Sequence, residues 1–195
     1  MRKEKLEELR SYIDEMRTLK KTLLQEPGKF ITVEKYACLL NNGKRIPREK
    51  IQKNGMDGNA VIILPVTKDG NTVITIQPRV FTKETVGIAL PAGYVEDNES
   101  YEAAARRELL EETGYQAEKL IECASFYQDD GCSGAFNKGY LGLGCERIKE
   151  QNLDPDEFIR YLECTVDELF YLVEKGYIKD GGSQLLIERA RQYIK

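Results

Sequence analysis

Residues 93–115 read GYVEDNESYEAAARRELLEETGY: a glycine turn, then a helix, then a second glycine. Asn98 is placed to cap this helix, Glu99 sits favourably in its first turn, and Gly114 terminates it. At about 100° per residue, Tyr101, Ala105, Glu108 and Glu112 fall within roughly 60° of one another, with Leu109 beside them. The inward stripe therefore begins apolar and turns acidic in its last two turns. Glu111 lies on the flank, three residues from Glu108. Carboxylates crowded at the negative end of a helix dipole repel one another and the dipole alike. A bound divalent cation would compensate them, and an all-oxygen cluster suits Mg²⁺ or Mn²⁺. The plainer alternative is a solvated acidic face with Arg106 and Arg107 as surface partners.

The chain around this stretch alternates strands with helices. Leu6, Leu9, Ile13 and Met16 recur at helical spacing, which predicts a helix from Lys3 to Leu24, ended by Pro27-Gly28. Its apolar stripe either seats on its own domain or meets a partner helix, and the short seam favours the former. From Lys29 the period changes to two, predicting a strand to Leu40, a turn at Asn42-Gly43 and a weaker strand from Arg45 to Gln52. Ala60–Val66 is almost wholly apolar and reads as a strand buried on both faces. Strands follow at Thr72–Gln77 and Val86–Leu90, then at Ala117–Tyr127 and Gly139–Cys145, with the loop DDGCSGAFNKG between the last two. An acidic loop, Asn152–Glu157, precedes a short strand at Phe158–Cys164. Thr165 caps a helix from Val166 to about Lys175, and a last helix runs from Gly181-Gly182-Ser183 toward Lys195. The class is α/β (α+β), with one mixed sheet between helices.

Composition narrows the chemistry. The 195 residues suit one domain with a small appendage; 41% hydrophobic and 32% charged content is that of a soluble globular protein. A net charge of −4 gives no basic field for nucleic acid, and no Lys/Arg run points to a membrane surface. The five cysteines, Cys38, Cys123, Cys132, Cys145 and Cys164, form no C-x-x-C pair and read as reduced thiols of a cytoplasmic protein. Histidine is absent, which excludes Ser-His-Asp and Cys-His catalysis and every His-ligated metal site. Acid–base work falls to carboxylates, Lys, Tyr or Cys. The charged N-terminus is not that of a signal peptide, and no apolar run reaches membrane-spanning length.

The spacing decides between the two readings of the acidic helix. Gly93, five residues, Glu99, seven residues, Arg107-Glu108-Leu109, one residue, Glu111-Glu112, one residue, Gly114 and then Tyr115 match the signature of the Nudix hydrolases at every position. Leaving aside the two apolar positions, Leu109 and Tyr115, seven fixed residues at roughly one chance in fifteen each are not accidental. The chain thus resembles the Nudix family over about residues 30–195. The lead-in Leu90-Pro91-Ala92-Gly93 and the pattern around Ile178-Lys179-Asp180 are similar to the ADP-ribose pyrophosphatase (nucleoside-diphosphate-sugar) branch.

The resemblance implies a Nudix fold, a mixed β-sheet sandwiched between helices, with an added N-terminal helix. The expected division is 1–28, a helical extension; 29–57, a strand hairpin; and 58–195, the Nudix domain. It implies that Glu108, Glu112 and Glu111, with the carbonyl of Ala92, hold catalytic Mg²⁺ (or Mn²⁺), and that Arg107, paired with Glu99, orients the glutamates. Arg79 matches a substrate-facing arginine. A catalytic carboxylate is drawn from Asp154, Asp156 and Glu157, with Glu157 favoured. The implied reaction is hydrolysis of the diphosphate of ADP-ribose or a related nucleoside diphosphate sugar by a homodimer; the alternative is a nucleoside triphosphate or other nucleotide derivative, as in another Nudix branch, and a nucleotide-sensing module without catalysis ranks lower. The chain departs from the branch at Ala89, where glutamate is usual, and at Asp129-Asp130-Gly131, where Ser-Pro-Gly is usual.

Overall fold

The computed structural model describes residues 1–20, 22 and 28–194. Helix α1 (Lys3–Glu15) leads into a hairpin of β1 (Ile31–Leu39) and β2 (Arg45–Lys53). There follow β3 (Ala60–Thr67), β4 (Asn71–Pro78), β5 (Val86–Ala89), β6 (Ala92–Tyr94) and helix α2 (Tyr101–Thr113). Strands β7 (Tyr115–Gln116), β8 (Lys119–Tyr127), β9 (Phe136–Arg147) and β10 (Arg160–Thr165) lead to α3 (Val166–Glu174) and α4 (Gly181–Ala190).

The main sheet has the order β10-β4-β3-β9-β7, with β5 on β4, β6 on β3 and β8 on β9. Among the described strands of this sheet only β3 and β9 pair in parallel, Ile62 opposite Gly139 and Leu64 opposite Leu141; the sheet is therefore mixed. As its apolar run requires, β3 is buried on both faces. Val61, Ile63 and Tyr140 meet Ala104, Ala105 and Leu109 of α2. Ile62, Leu64 and Leu141 face the other way, into a core shared with Leu169 and Leu172 of α3 and Leu186 of α4.

The N-terminal helix belongs to that second core. Leu9 and Met16 are buried in it, the Lys5 ammonium donates to the Glu163 carbonyl, and Arg160 donates to Glu15 at 2.9 Å. The helix seats on its own domain, but it stops at Glu15, short of the expected end, and Leu19 lies 98% exposed beyond it. The expected course through Leu24 to Pro27 falls on residues 21 and 23–27, outside the described residues. The hairpin forms a separate two-stranded sheet, in register from Ile31 opposite Lys53 to Leu39 opposite Arg45. Its tie to the main body includes the Ile51 N–H, which donates to the Cys132 carbonyl at 2.7 Å.

Three local expectations are corrected. The cap of α2 is Ser100, whose hydroxyl accepts from Ala103 N–H at 3.1 Å, while Asn98 takes φ +63° in the preceding turn. Asparagine tolerates that left-handed backbone, so both of its familiar uses fitted the position. Strand β9 starts at Phe136, inside the stretch expected to be loop, because its first residues pair with β8. Helix α4 ends at Ala190 rather than near Lys195.

Candidate active site

Helix α2 is held at both ends. Ser100 caps its start, and Gly114, at φ +77°, ends it by donating to the Leu110 carbonyl. A Cβ at Gly114 would lie 2.1 Å from the Lys149 carbonyl oxygen, so only glycine fits the turn. The segment after β9 folds back over this end. Asn152 N–H donates to the Glu111 carbonyl at 2.9 Å, and Gln151 Nε2 donates to the Glu112 carbonyl at 2.5 Å and to that of Ile159 at 3.3 Å. Free carbonyls of the last turn of α2 thereby gain partners, and the acidic loop that follows is fixed to the same helix.

Glu108 and Glu112 are buried charges. Glu112 is 2% exposed, and one of its oxygens accepts from Ala92 N–H at 2.9 Å. Its other oxygen makes no hydrogen bond to a described residue. Burial pushes its carboxyl well above the usual range, and the charges of Glu108 and Glu157 add to this. Burial likewise raises Glu108 to about 6, against the opposing pull of Arg107. Glu108 lies against β6: a Cβ at Gly93 would come within 2.1 Å of its carboxyl group. Glycine there lets the strand approach the helix closely.

Arg107 organises the rest. Its Nε and Nη2 donate to the two oxygens of Glu99 at 3.0 and 2.9 Å, a bidentate pair. Nη1 donates to Glu108 at 2.8 Å and to Glu111 at 3.1 Å, and Nη2 also reaches the Tyr94 carbonyl at 2.9 Å. The hydrogen bond from Arg107 holds the Glu99 carboxyl below its ordinary value and keeps the arginine charged. With Nη1 bridging Glu108 and Glu111, no three carboxylates converge on one point among the described residues. The donor set still fits a divalent cation: hard carboxylate oxygens, partly desolvated, one of them on Glu112 without a protein donor.

A cleft of about 1400 Å³ opens over these residues. Arg79 lines it, close enough for its charge to act on Glu112. Asp154 and Glu157 line it too, whereas Asp156 does not. Glu157 is exposed, accepts from Asp154 N–H at 3.1 Å, and acts electrostatically on both Glu108 and Glu112. The structure thus gathers Glu99, Arg107, Glu108, Glu111, Glu112, Ala92, Arg79 and Glu157 around one cleft. Sequence reasoning missed Gln151 and Asn152, which have no local signal; their role exists only once the chain returns to the end of α2.

Known proteins share the sequence pattern and the fold. The NUDIX domain pattern matches residues 56–183. The chain belongs to the Nudix family and is a Nudix pyrophosphohydrolase. It is 33% identical over 172 residues to an ADP-ribose pyrophosphatase of Bacillus subtilis, covering 86% of this chain and 90% of the relative. A methanol dehydrogenase activator of Bacillus methanolicus is 28% identical, with 83% of this chain and 85% of the relative covered. A GDP-mannose pyrophosphatase of Yersinia pestis is also 28% identical, with 82% and 84% covered. The crystal structure of an ADP compounds hydrolase superposes with a TM-score of 0.73 over 86% of this chain and 88% of its own, at 19% identity, and shares the fold.

Proposed function

We propose that the protein hydrolyses the diphosphate of ADP-ribose or a related nucleoside diphosphate sugar, giving a nucleoside monophosphate and a sugar phosphate. The observation that carries this is the buried pair Glu108 and Glu112, set with Arg107 at the floor of one cleft that also receives Arg79 and Glu157. Similarity to an ADP-ribose pyrophosphatase over most of both chains favours that substrate class; the GDP-mannose pyrophosphatase relative is the reason to carry a second sugar nucleotide.

Nudix hydrolases generally use divalent metal ions. Glu108, Glu111, Glu112 and the Ala92 carbonyl would hold Mg²⁺ or Mn²⁺ here. When bound, the cation neutralises charge on the diphosphate and leaving group. Arg107 and Glu99 set the orientation of the carboxylates. Arg79 pairs with substrate phosphate, and Glu157 takes the proton from the attacking water.

We place the protein in the cytoplasm, in keeping with five free thiols; no helix among the described residues is long and apolar enough to cross a membrane. The unit at 58–195 carries the chemistry, with 1–28 and 29–57 added to it. The test is phosphate-coupled turnover, with and without Mg²⁺, on ADP-ribose, ADP-glucose, GDP-mannose, dinucleoside polyphosphates, coenzyme A and dNTPs. Metal-stimulated turnover is expected to be greatest on the sugar nucleotides. Preference for a dNTP or coenzyme A overturns the substrate class.

A further inference from the structure

Two asparagines brace the parallel pair β3–β9 where it opens onto the cleft. Asn59 Oδ1 accepts from the Phe136 N–H at 2.9 Å, and Asn137 Oδ1 accepts from the Ala60 N–H at 3.0 Å. Both line the cleft, and Asn137 is 5% exposed. A carboxamide has an acceptor end and a donor end. Here each oxygen is committed to a backbone N–H, which fixes the amide orientation and leaves each Nδ2 as a donor. Neither Nδ2 makes a hydrogen bond to a described residue. Neither is sealed in protein, since Thr72 Oγ1 is the one sealed, unpartnered side-chain polar atom among the described residues. Each donor therefore keeps accessible surface on a residue that lines the cleft.

The surroundings say what they meet. Asn137 stands opposite Phe126 in the β8–β9 pair, and Phe126 lines the cleft as a half-buried ring beside the donors. Ala60, to which Asn137 is bonded, pairs with Tyr94, two residues along β6 from Ala92. Strand spacing puts Asn137 on the order of 10 Å from β6. That is one chemical unit away from a diphosphate lying over Glu108 and Glu112. Neutral N–H donors beside an aromatic ring suit a neutral acceptor on a ring-bearing group, where a phosphate would call for Lys or Arg.

We propose that Asn137, with Asn59 beside it, determines specificity by donating to a neutral oxygen or nitrogen acceptor on the nucleobase or sugar attached to the diphosphate. The inference rests on the nucleoside-diphosphate-sugar reading above. Asn137→Asp tests it, because aspartate keeps the shape and the oxygen that receives Ala60 N–H, while the donor gives way to a charged acceptor. With ADP-ribose, ADP-glucose and GDP-mannose, KM is expected to rise roughly tenfold or more on substrates that use the contact. On the same substrates kcat stays within about threefold, and far-UV circular dichroism shows the fold retained.

A rise confined to the two ADP compounds assigns the contact to the base, and one confined to a single sugar assigns it to that sugar. A rise on all three that the uncharged Asn137→Leu variant reproduces assigns it to the shared nucleoside ribose. A rise on all three that Asn137→Leu does not reproduce is charge repulsion and overturns the proposal, as does an unaltered KM on all three. Should the variant fail to fold, Asn59→Asp carries the same test. Wild-type protein inert on every sugar nucleotide sinks the underlying reading and this inference together. Active wild type with an indifferent variant sinks the inference alone.

Discussion

Arg107 joins four acceptors that no lysine could reach together: Glu99, Glu108, Glu111 and the Tyr94 carbonyl. A single ammonium lacks the planar fork that spans them. Arg107→Lys is expected to lower kcat by roughly ten- to a hundredfold with little change in the circular dichroism spectrum. Turnover within twofold of wild type would show that the carboxylates are ordered without the fork.

Glu112 is the more severe position. Glu112→Gln removes a buried charge and keeps the acceptor for Ala92 N–H, so the fold should be retained while turnover drops by at least about a hundredfold. Without added metal its melting temperature at pH 8 should match or exceed that of wild type. Both carboxyls are raised in the folded state, so each favours folding while protonated. For Glu108 this contribution is complete below the ordinary value of 4.5 and is lost as pH rises through about 6. The loss is roughly 1–2 kcal/mol. Mg²⁺ binds the ionised forms, so it should raise the melting temperature more at pH 8 than at pH 5, and scanning calorimetry at the two pH values checks this. An equal rise at both would place the ion elsewhere.

Most of helix α2 was legible, because its Gly114 terminator, amphipathic spacing and the Nudix signature all fall within 23 consecutive positions, 93–115. Its acidic stripe reads correctly from the helical projection, since Glu108 and Glu112 are buried together with Ala105 and Leu109. What lay beyond reach was how its far end is closed. Gln151 and Asn152 meet α2 only because β9 runs back past it, a contact between segments about 40 residues apart in the chain. Gln151→Leu is expected to leave the Glu112 and Ile159 carbonyls unpartnered and to cost roughly 1–3 kcal/mol in urea unfolding. Gly114→Ala, which meets the Lys149 carbonyl at a forced left-handed φ, should cost at least as much. The start of α2 misled for a simpler reason: Asn98 and Ser100 are both good caps, and only the backbone angle separates them.

For the whole molecule, the mixed sheet between helices followed from the alternation of strand and helix periods. The parallel neighbourship of β3 and β9 did not, and so Asn137 carried no signal in the sequence; its place over the cleft comes from that pairing. The hairpin leaves Ile31, Val33 and Leu39 on one face of β1, 53%, 54% and 62% exposed. Exposed apolar residues on this face, interrupted by Lys35, support a homodimer, which we propose, with a mass by light scattering of twice the 22.3 kDa chain at micromolar concentration. Val33→Asp should shift that mass toward the monomer; a wild-type monomer mass would overturn the assembly.

The cleft has no single owner along the chain. Arg17, Lys53, Arg79, Glu112 and Lys179, from segments spread along the chain, all line it. Ion pairing between Glu15 and Arg160 ties the first of these segments to the last strand. Loop-closure entropy has to be met before contacts so distant in sequence can form, so the order of events in refolding is constrained. Helix α2 can form from local interactions, yet its carboxylates face an open surface until both ends of the chain have docked. Catalytic competence is therefore the last property to emerge, and in a refolding time course far-UV ellipticity should recover ahead of turnover.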